Sequence, residues 1–191
     1  MFNCNPMSLI TILSIASIVV SENSVFNHYK VIGNVDDVEI RDYNSLLYVS
    51  YVPMNKSDRS NSFRKVADFI FGNNSRNENI SMTSPVVMKT YNNYEMAFIM
   101  PSIYTIDNLP TVNSSDLNVY EEKGGVKAVI SYSGFSSNEK EERFIKKLKE
   151  KLDAHNIEYK NDFEVLVYNP PYQMFNRRNE ISVTINYKKY V

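Results

Sequence analysis

The side chains best placed to do chemistry cluster in two segments, I-S-M-T-S-P-V-V-M at residues 80–88 and Y-N-P-P-Y-Q-M-F-N-R-R-N-E-I at residues 168–181. Neither has the composition of a catalytic loop. Both set Pro, Met and Tyr beside a few polar anchors, a mixture suited to a wall against which a flat hydrophobic ligand lies. The chemistry they offer is therefore apolar contact with a polar rim.

Regular elements must hold these segments. Val38 and Ile40 alternate with Glu39 and Arg41, and residues 46–52 are rich in Leu, Val and Tyr before Pro53, so both stretches predict strands. A helix is expected over residues 60–71, where Phe63, Val66, Ala67 and Ile70 make the apolar stripe. Phe69 and Phe71 widen that arc beyond one packing face, which means either a groove beside the helix or deeper burial. Gly72 supplies the stop. Strands resume at residues 86–90 and 94–100, the second apolar on both faces apart from Glu95. Residues 119–122 and 126–132 read as a hairpin around Lys123, Gly124 and Gly125, whose glycines would allow positive φ. A second helix over residues 138–155 is capped by Ser136, Ser137 or Asn138 and carries Phe144, Ile145, Leu148 and Leu152 on its apolar side. Residues 163–168 and 181–187 complete the strands. The order predicts an α+β fold, a twisted antiparallel barrel-like sheet from two β-α-β-β halves with two outer helices.

Taken together the two motifs resemble the SOUL family of haem-binding proteins, in which an M-T-x-P-V segment follows the first helix and an N-P-P…R-R-N-E-I/V segment closes the domain. The resemblance extends through V-E-I-R-D-Y at residues 38–43, F-R-K-V-A-D-F-I-F-G-N-N at residues 63–74 and F-I-M-P-S-I-Y at residues 98–104. It implies a twisted β-barrel that binds haem or another tetrapyrrole, with a pocket beside the first helix, in a family that is not primarily one of enzymes.

Haem needs a flat apolar slot, cations for its propionates and, optionally, an iron ligand. The expected slot is Phe63, Ala67 and Ile70 of the first helix, Met82 and Val86 of the first motif, and Tyr172 and Met174 of the second, although each is also an ordinary core candidate. Arg64 and Arg177 are the expected propionate partners, with Arg59 and Lys65 nearby; Arg178 and Glu180 read equally as a structural ion pair. Asp68 stands where some family members carry a basic residue. Only His28 and His155 could offer imidazole, the first read as solvent-facing and the second as a helix-end residue. No obligatory axial ligand and no metal residue are expected. Burying on the order of 300 Å² of ring would gain roughly 7 kcal/mol before association costs, enough for contact to hold the ligand.

The chain has 191 residues and a formal net charge of −1, which suits one domain and excludes a broad basic nucleic-acid surface. No phosphate loop, nucleophile elbow, zinc-helix or C-x-x-C motif is present. Glu39, Glu95 and Tyr94 are the residues that could meet inside a barrel as acid and base. Residues 1–21 hold no charged side chain, and residues 7–20 form an apolar run shorter than the roughly 20 residues of a span. They suit a signal peptide ahead of a domain at residues 22–191, the alternatives being an anchor or a buried segment. The sole cysteine, Cys4, lies there. Sequons at Asn55, Asn73, Asn79 and Asn113 agree with a secretory route, though an Asn-rich chain also produces them by chance. The expected function is non-catalytic carriage or buffering of haem or a porphyrin, with membrane contact only if the N-terminal segment is retained. A small-molecule effector pocket or a protein-interaction scaffold without haem is the alternative.

Overall fold

The structure is a computed structural model and describes residues 28–186. The expected signal segment and Cys4 therefore lie outside the described residues. Among the described residues nine strands form one sheet: β1 (Tyr29–Val35), β2 (Val38–Tyr43), β3 (Leu46–Tyr51), β4 (Val86–Lys89), β5 (Glu95–Ile99), β6 (Leu117–Glu122), β7 (Gly125–Ser133), β8 (Glu164–Val167) and β9 (Arg178–Thr184). Helix α1 (Arg59–Ile70) follows β3, and α2 (Asn138–Ala154) follows β7. The strand order is β1-β2-β7-β9-β8-β4-β5-β3-β6, with antiparallel pairing throughout. Within it β3-α1-β4-β5 and β7-α2-β8-β9 take the same internal order, first-third-second, and meet at the β4–β8 pair. The fold is α+β, and two β-α-β-β halves build a curled half-barrel with both helices outside.

Strand β1 and the pairing of β6 and β7 depart from the sequence expectation. Residues 29–35 form a strand that the sequence pattern did not signal, because Asn34 and Gly33 interrupt its alternation. The expected hairpin does not exist: β6 pairs with β3, while β7 pairs with β2 and β9. Gly124 serves close approach rather than positive φ. A Cβ there would stand 2.1 Å from the Tyr43 carbonyl oxygen. Gly72 does take positive φ, at 106°, and ends α1 as expected.

The helices occupy the convex face. Val66, Ala67, Phe69 and Ile70 of α1 bury against Val49 and Tyr51 of β3 and Phe98 of β5. The extra width of the α1 arc is thus largely taken up by Phe69, which is 1% exposed. Leu148 and Leu152 of α2 bury fully against Ile130, Ile181 and Val183, each contributing about 2 kcal/mol of apolar burial. Ser137 caps α2, accepting a hydrogen bond from the Lys140 amide at 3.3 Å.

The concave face is filled by buried ion pairs beside a small apolar cluster of Tyr48, Val87, Ala97, Ile99 and Leu166. Arg41 and Glu180 are both completely buried, and the guanidinium donates to the carboxylate twice, at 2.7 and 2.9 Å. Tyr168, Ser131 and Arg178 add donors to Glu180. The expected Arg178–Glu180 ion pair is present at 2.6 Å as part of this group. Beside it Lys127 joins Glu122 at 3.1 Å and Glu164 at 2.8 Å, and Lys89 joins Glu122. Burial alone would raise the Glu180 carboxyl, but Arg41 outweighs it and holds the group below the ordinary carboxylate range. Glu122 is likewise lowered, burial being outweighed by Lys127 and Lys89.

Removing one partner of such a pair strands a buried charge. Arg41→Ala is expected to lower the unfolding free energy by about 3–5 kcal/mol, read from urea denaturation. Because Glu180 and Glu122 are depressed in the fold, their contribution is complete above the unfolded carboxyl value of about 4.3 and is lost as pH falls through the folded values.

Candidate functional site

Register places five connections at one end of the sheet. Val86, the first residue of β4, is opposite Phe98 near the end of β5 and opposite Val167 at the end of β8. Val167 is opposite Asn179, and Arg178 is opposite Ser133, the last residue of β7. Tyr48 is opposite Ile99, which brings the start of β3 to the same end. Residues 44–45, 81–85, 100–106, 134–137 and 168–177 therefore emerge together.

A groove of about 540 Å³ opens there, within the roughly 300–1,000 Å³ of small-molecule sites. Leu46, Leu47, Met82, Met100, Pro101 and Ile106 supply apolar lining, and Ser45, Ser81, Thr83, Ser102 and Thr105 supply hydroxyls. His28 and Glu121 complete the polar part. The walls are fixed by their own bonds. Thr83 Oγ1 donates to the Ile99 carbonyl at 2.5 Å, and the Met100 amide donates to the Leu47 carbonyl at 2.8 Å. The Asn108 side chain ties down Ile103 and Thr105, and Arg76 donates to the Asn108 carbonyl at 2.6 Å.

The sequence puts the slot beside α1, whereas these walls come from strand ends and loops. Of the expected contact residues Met82, 45% exposed, lines the groove. Ala67 and Ile70 are buried in the core cluster that Leu47 and Met100 also join, and Val86 packs against that cluster. Phe63 sits over Phe98, ring centroids 5.3 Å apart, and is half-exposed. Tyr172 and Met174 project from the β8–β9 loop, away from the groove lining.

The expected cations are already engaged. Arg64 is exposed and donates to Asn61 at 3.3 Å. Lys65 pairs with Asp116 at 2.9 Å, and the Arg59 guanidinium lies 3.8 Å over the Tyr94 ring. Arg177 is buried, and donates to the carbonyls of Asn169, Pro170 and Gln173 while lying over the Phe135 ring. It fastens the loop on which Tyr172 and Met174 stand.

His28 corrects its sequence reading. Expected at the solvent, it is 9% exposed and lines the groove, and burial lowers its pKa. Its imidazole is therefore the neutral, electron-pair-bearing form near pH 7. A lone histidine ahead of an unrecognised strand carried no such signal. Ile106, on an uncharged connection after β5, was the overlooked signal for the groove itself. His155 ends α2 with Nε2 3.4 Å from Asp36, as a helix-end residue.

His28 and Leu46 also line a second, smaller space of about 20 Å³ among Tyr29, Tyr43, Tyr48 and Tyr168. That is room for about one water. Burial pushes the Tyr43 phenol up to about 12, so it stays protonated. Glu95 is buried and accepts from Tyr120 at 2.9 Å and Asn92 at 2.7 Å. Glu39 lies beside Arg41 with its side chain 42% exposed, and Tyr94 stacks on Arg59 in the β4–β5 turn. The three do not meet.

With these features in place, comparison with known proteins defines the class. The profile of the SOUL heme-binding protein family matches residues 27–184, and the chain belongs to that family. No curated protein matches it by sequence. Among solved structures it resembles a hydrolase from Listeria innocua at TM-score 0.55 and 6% identity, over 81% of this chain and 94% of that one. It resembles the EcmrR C-terminal domain at TM-score 0.55 and 9% identity, over 82% and 97%. At those identities the likeness is one of fold.

The Arg177 clamp gives a direct test of how the second motif is held. Arg177→Lys keeps the charge but loses the planar fork that reaches several carbonyls. The expected result is faster limited proteolysis within residues 169–176, with a stability loss of about 1–3 kcal/mol.

Proposed function

We propose that this chain binds haem or a related tetrapyrrole without catalysing a reaction, for carriage or buffering, and that the groove at the strand ends is the site. The observation that carries the reading is the lining of that groove by Ser81, Met82 and Thr83 in a chain of this family. The donor set fits a ring held by contact: Leu46, Leu47, Met82, Met100, Pro101 and Ile106 would cover its faces. Neither lysine nor arginine lines the groove, so the propionates would rest on Ser and Thr hydroxyls and water. Haem bound there would supply a redox-active iron, toward which His28 offers the one neutral nitrogen base of the lining. Support for a non-catalytic role comes from the inner carboxylates, which are engaged in ion pairs and hydrogen bonds around a space of about one water.

On the same reading residues 22–191 are the working domain, in a secretory compartment after removal of residues 1–21. Asn55, Asn73, Asn79 and Asn113 are exposed, as glycan acceptors must be. Expression through a secretory host should yield a product shortened at its N-terminus whose mass falls on N-glycosidase treatment; an unprocessed, unshifted chain contradicts this assignment.

Hemin titration should give a saturable Soret shift. Metal-free protoporphyrin should compete within about tenfold, because contact rather than coordination sets the affinity, and Met82→Asp should weaken both at least about tenfold by placing a carboxylate against the ring. A flat titration at micromolar protein would overturn the reading.

A further inference from the structure

The end of the sheet that opens the groove also gathers the exposed apolar side chains. Tyr172, Met174 and Phe175 on the β8–β9 loop are 84%, 68% and 81% exposed. Phe135 on the connection after β7 is 52% exposed; Met82 and Ile106 line the groove, and Ile103 is exposed on the same connection as Ile106. Seven of the twelve exposed large hydrophobics among the described residues thus share one end, which scattered surface residues would not do.

Four of these connections lack charge, the imidazole and the carboxylate of the groove lining being those of His28 and Glu121. Residues 81–85, 101–106, 134–137 and 168–177 contain no ionisable acid, lysine or histidine, and their one arginine, Arg177, is buried. They are instead Ser, Thr, Asn, Pro and aromatic residues. Nor is the loop left to collapse. Arg177 holds three of its carbonyls, the Arg178 amide donates to Asn169 Oδ1 at 2.6 Å, and Gln173 Nε2 donates to the Phe175 carbonyl at 3.1 Å. A buried cation spent on presenting three greasy tips to water preorganises them for a partner. The partner must be apolar and need no charge complement.

We propose that this end of the sheet docks on a lipid bilayer, with Tyr172, Met174 and Phe175 inserted at the headgroup–acyl boundary and the groove mouth facing the membrane. Aromatic and methionine side chains on an uncharged loop suit that boundary, where an amphipathic ring lies half in hydrocarbon. Among the described residues no helix is long and apolar enough to cross a membrane, so the contact is interfacial. The docked face sets the groove against the phase in which apolar ligands dissolve. It needs no anionic lipid, and salt leaves it unchanged.

The chain contains no tryptophan, so a single introduced indole reports its own site. Phe175→Trp in the full chain, mixed with phosphatidylcholine vesicles, should show a blue-shifted emission quenched by acyl-brominated lipid. Met54→Trp, 83% exposed beyond the opposite end of β3, should show neither. Serine at Tyr172, Met174 and Phe175 together should cut vesicle partitioning at least about tenfold while the circular dichroism spectrum stays unchanged. Vesicle binding by the full chain with an unshifted Phe175→Trp emission would assign the contact to the N-terminal segment alone and overturn the proposal. Equal shifts at both positions, or no vesicle binding, would also overturn it, the last leaving the patch to a protein partner.

Discussion

The structure depends on a balance of charge inside the half-barrel. Arg41 and Glu180 lie with no solvent contact on facing strands, β2 and β9, separated by β7. Each would be intolerable alone, since a buried ion without its counter-ion costs several kcal/mol. Joined twice, and saturated by Tyr168, Ser131 and Arg178, they fix the register across β2, β7 and β9 more narrowly than apolar contact would. The Lys127–Glu164 and Lys89–Glu122 pairs tie strands within each half, and Lys127–Glu122 joins β7 to β6, linking the two halves through side chains as well as through the β4–β8 ladder. Most apolar side chains go outward to the helices, in two clusters under α1 and α2. A smaller apolar cluster, Tyr48, Val87, Ala97, Ile99 and Leu166, shares the interior with the ion pairs.

That filling bears on the proposed site. The space on the concave face is about the volume of a water, far smaller than a tetrapyrrole. The open volume lies past the strand ends, where the sheet no longer supplies ladder partners and connections must make walls from their own hydrogen bonds. Thr83, Asn108 and Arg76 do this for the groove, and Arg177 does it for the neighbouring loop. The two sequence motifs are thus parts of one end of the molecule with different tasks, the first lining a groove and the second displaying a rigid apolar tip.

The helices, eight of the nine strands and the halves were legible because their signals are local: the 3.6-residue stripe of Val66, Ala67 and Ile70, the alternation of Ile181 and Val183, the caps at Ser137 and Gly72. The false hairpin arose because two adjacent strands with glycines between them normally pair, and nothing local shows that β6 and β7 belong to opposite halves. The site was less legible than the fold. Ala67 and Ile70 have slot-like types, but the same types serve the core, and only packing distinguishes the uses. Arg177 looked like a free cation because the carbonyls that it binds leave no trace in composition. His28 gained its place from a groove assembled by strands that are distant in sequence.

The proposal that the ligand sits past the strand ends, excluded by the filled interior, is tested most directly by amide NMR with substoichiometric hemin as a paramagnetic broadening agent. The account predicts selective broadening at Leu46, Leu47, Met82, Thr83, Met100 and residues 101–106, with Glu95, Ala97 and Leu166 affected far less. Broadening centred on those inner residues, or on the exposed side of α1 around Phe63 and Arg64, would contradict it.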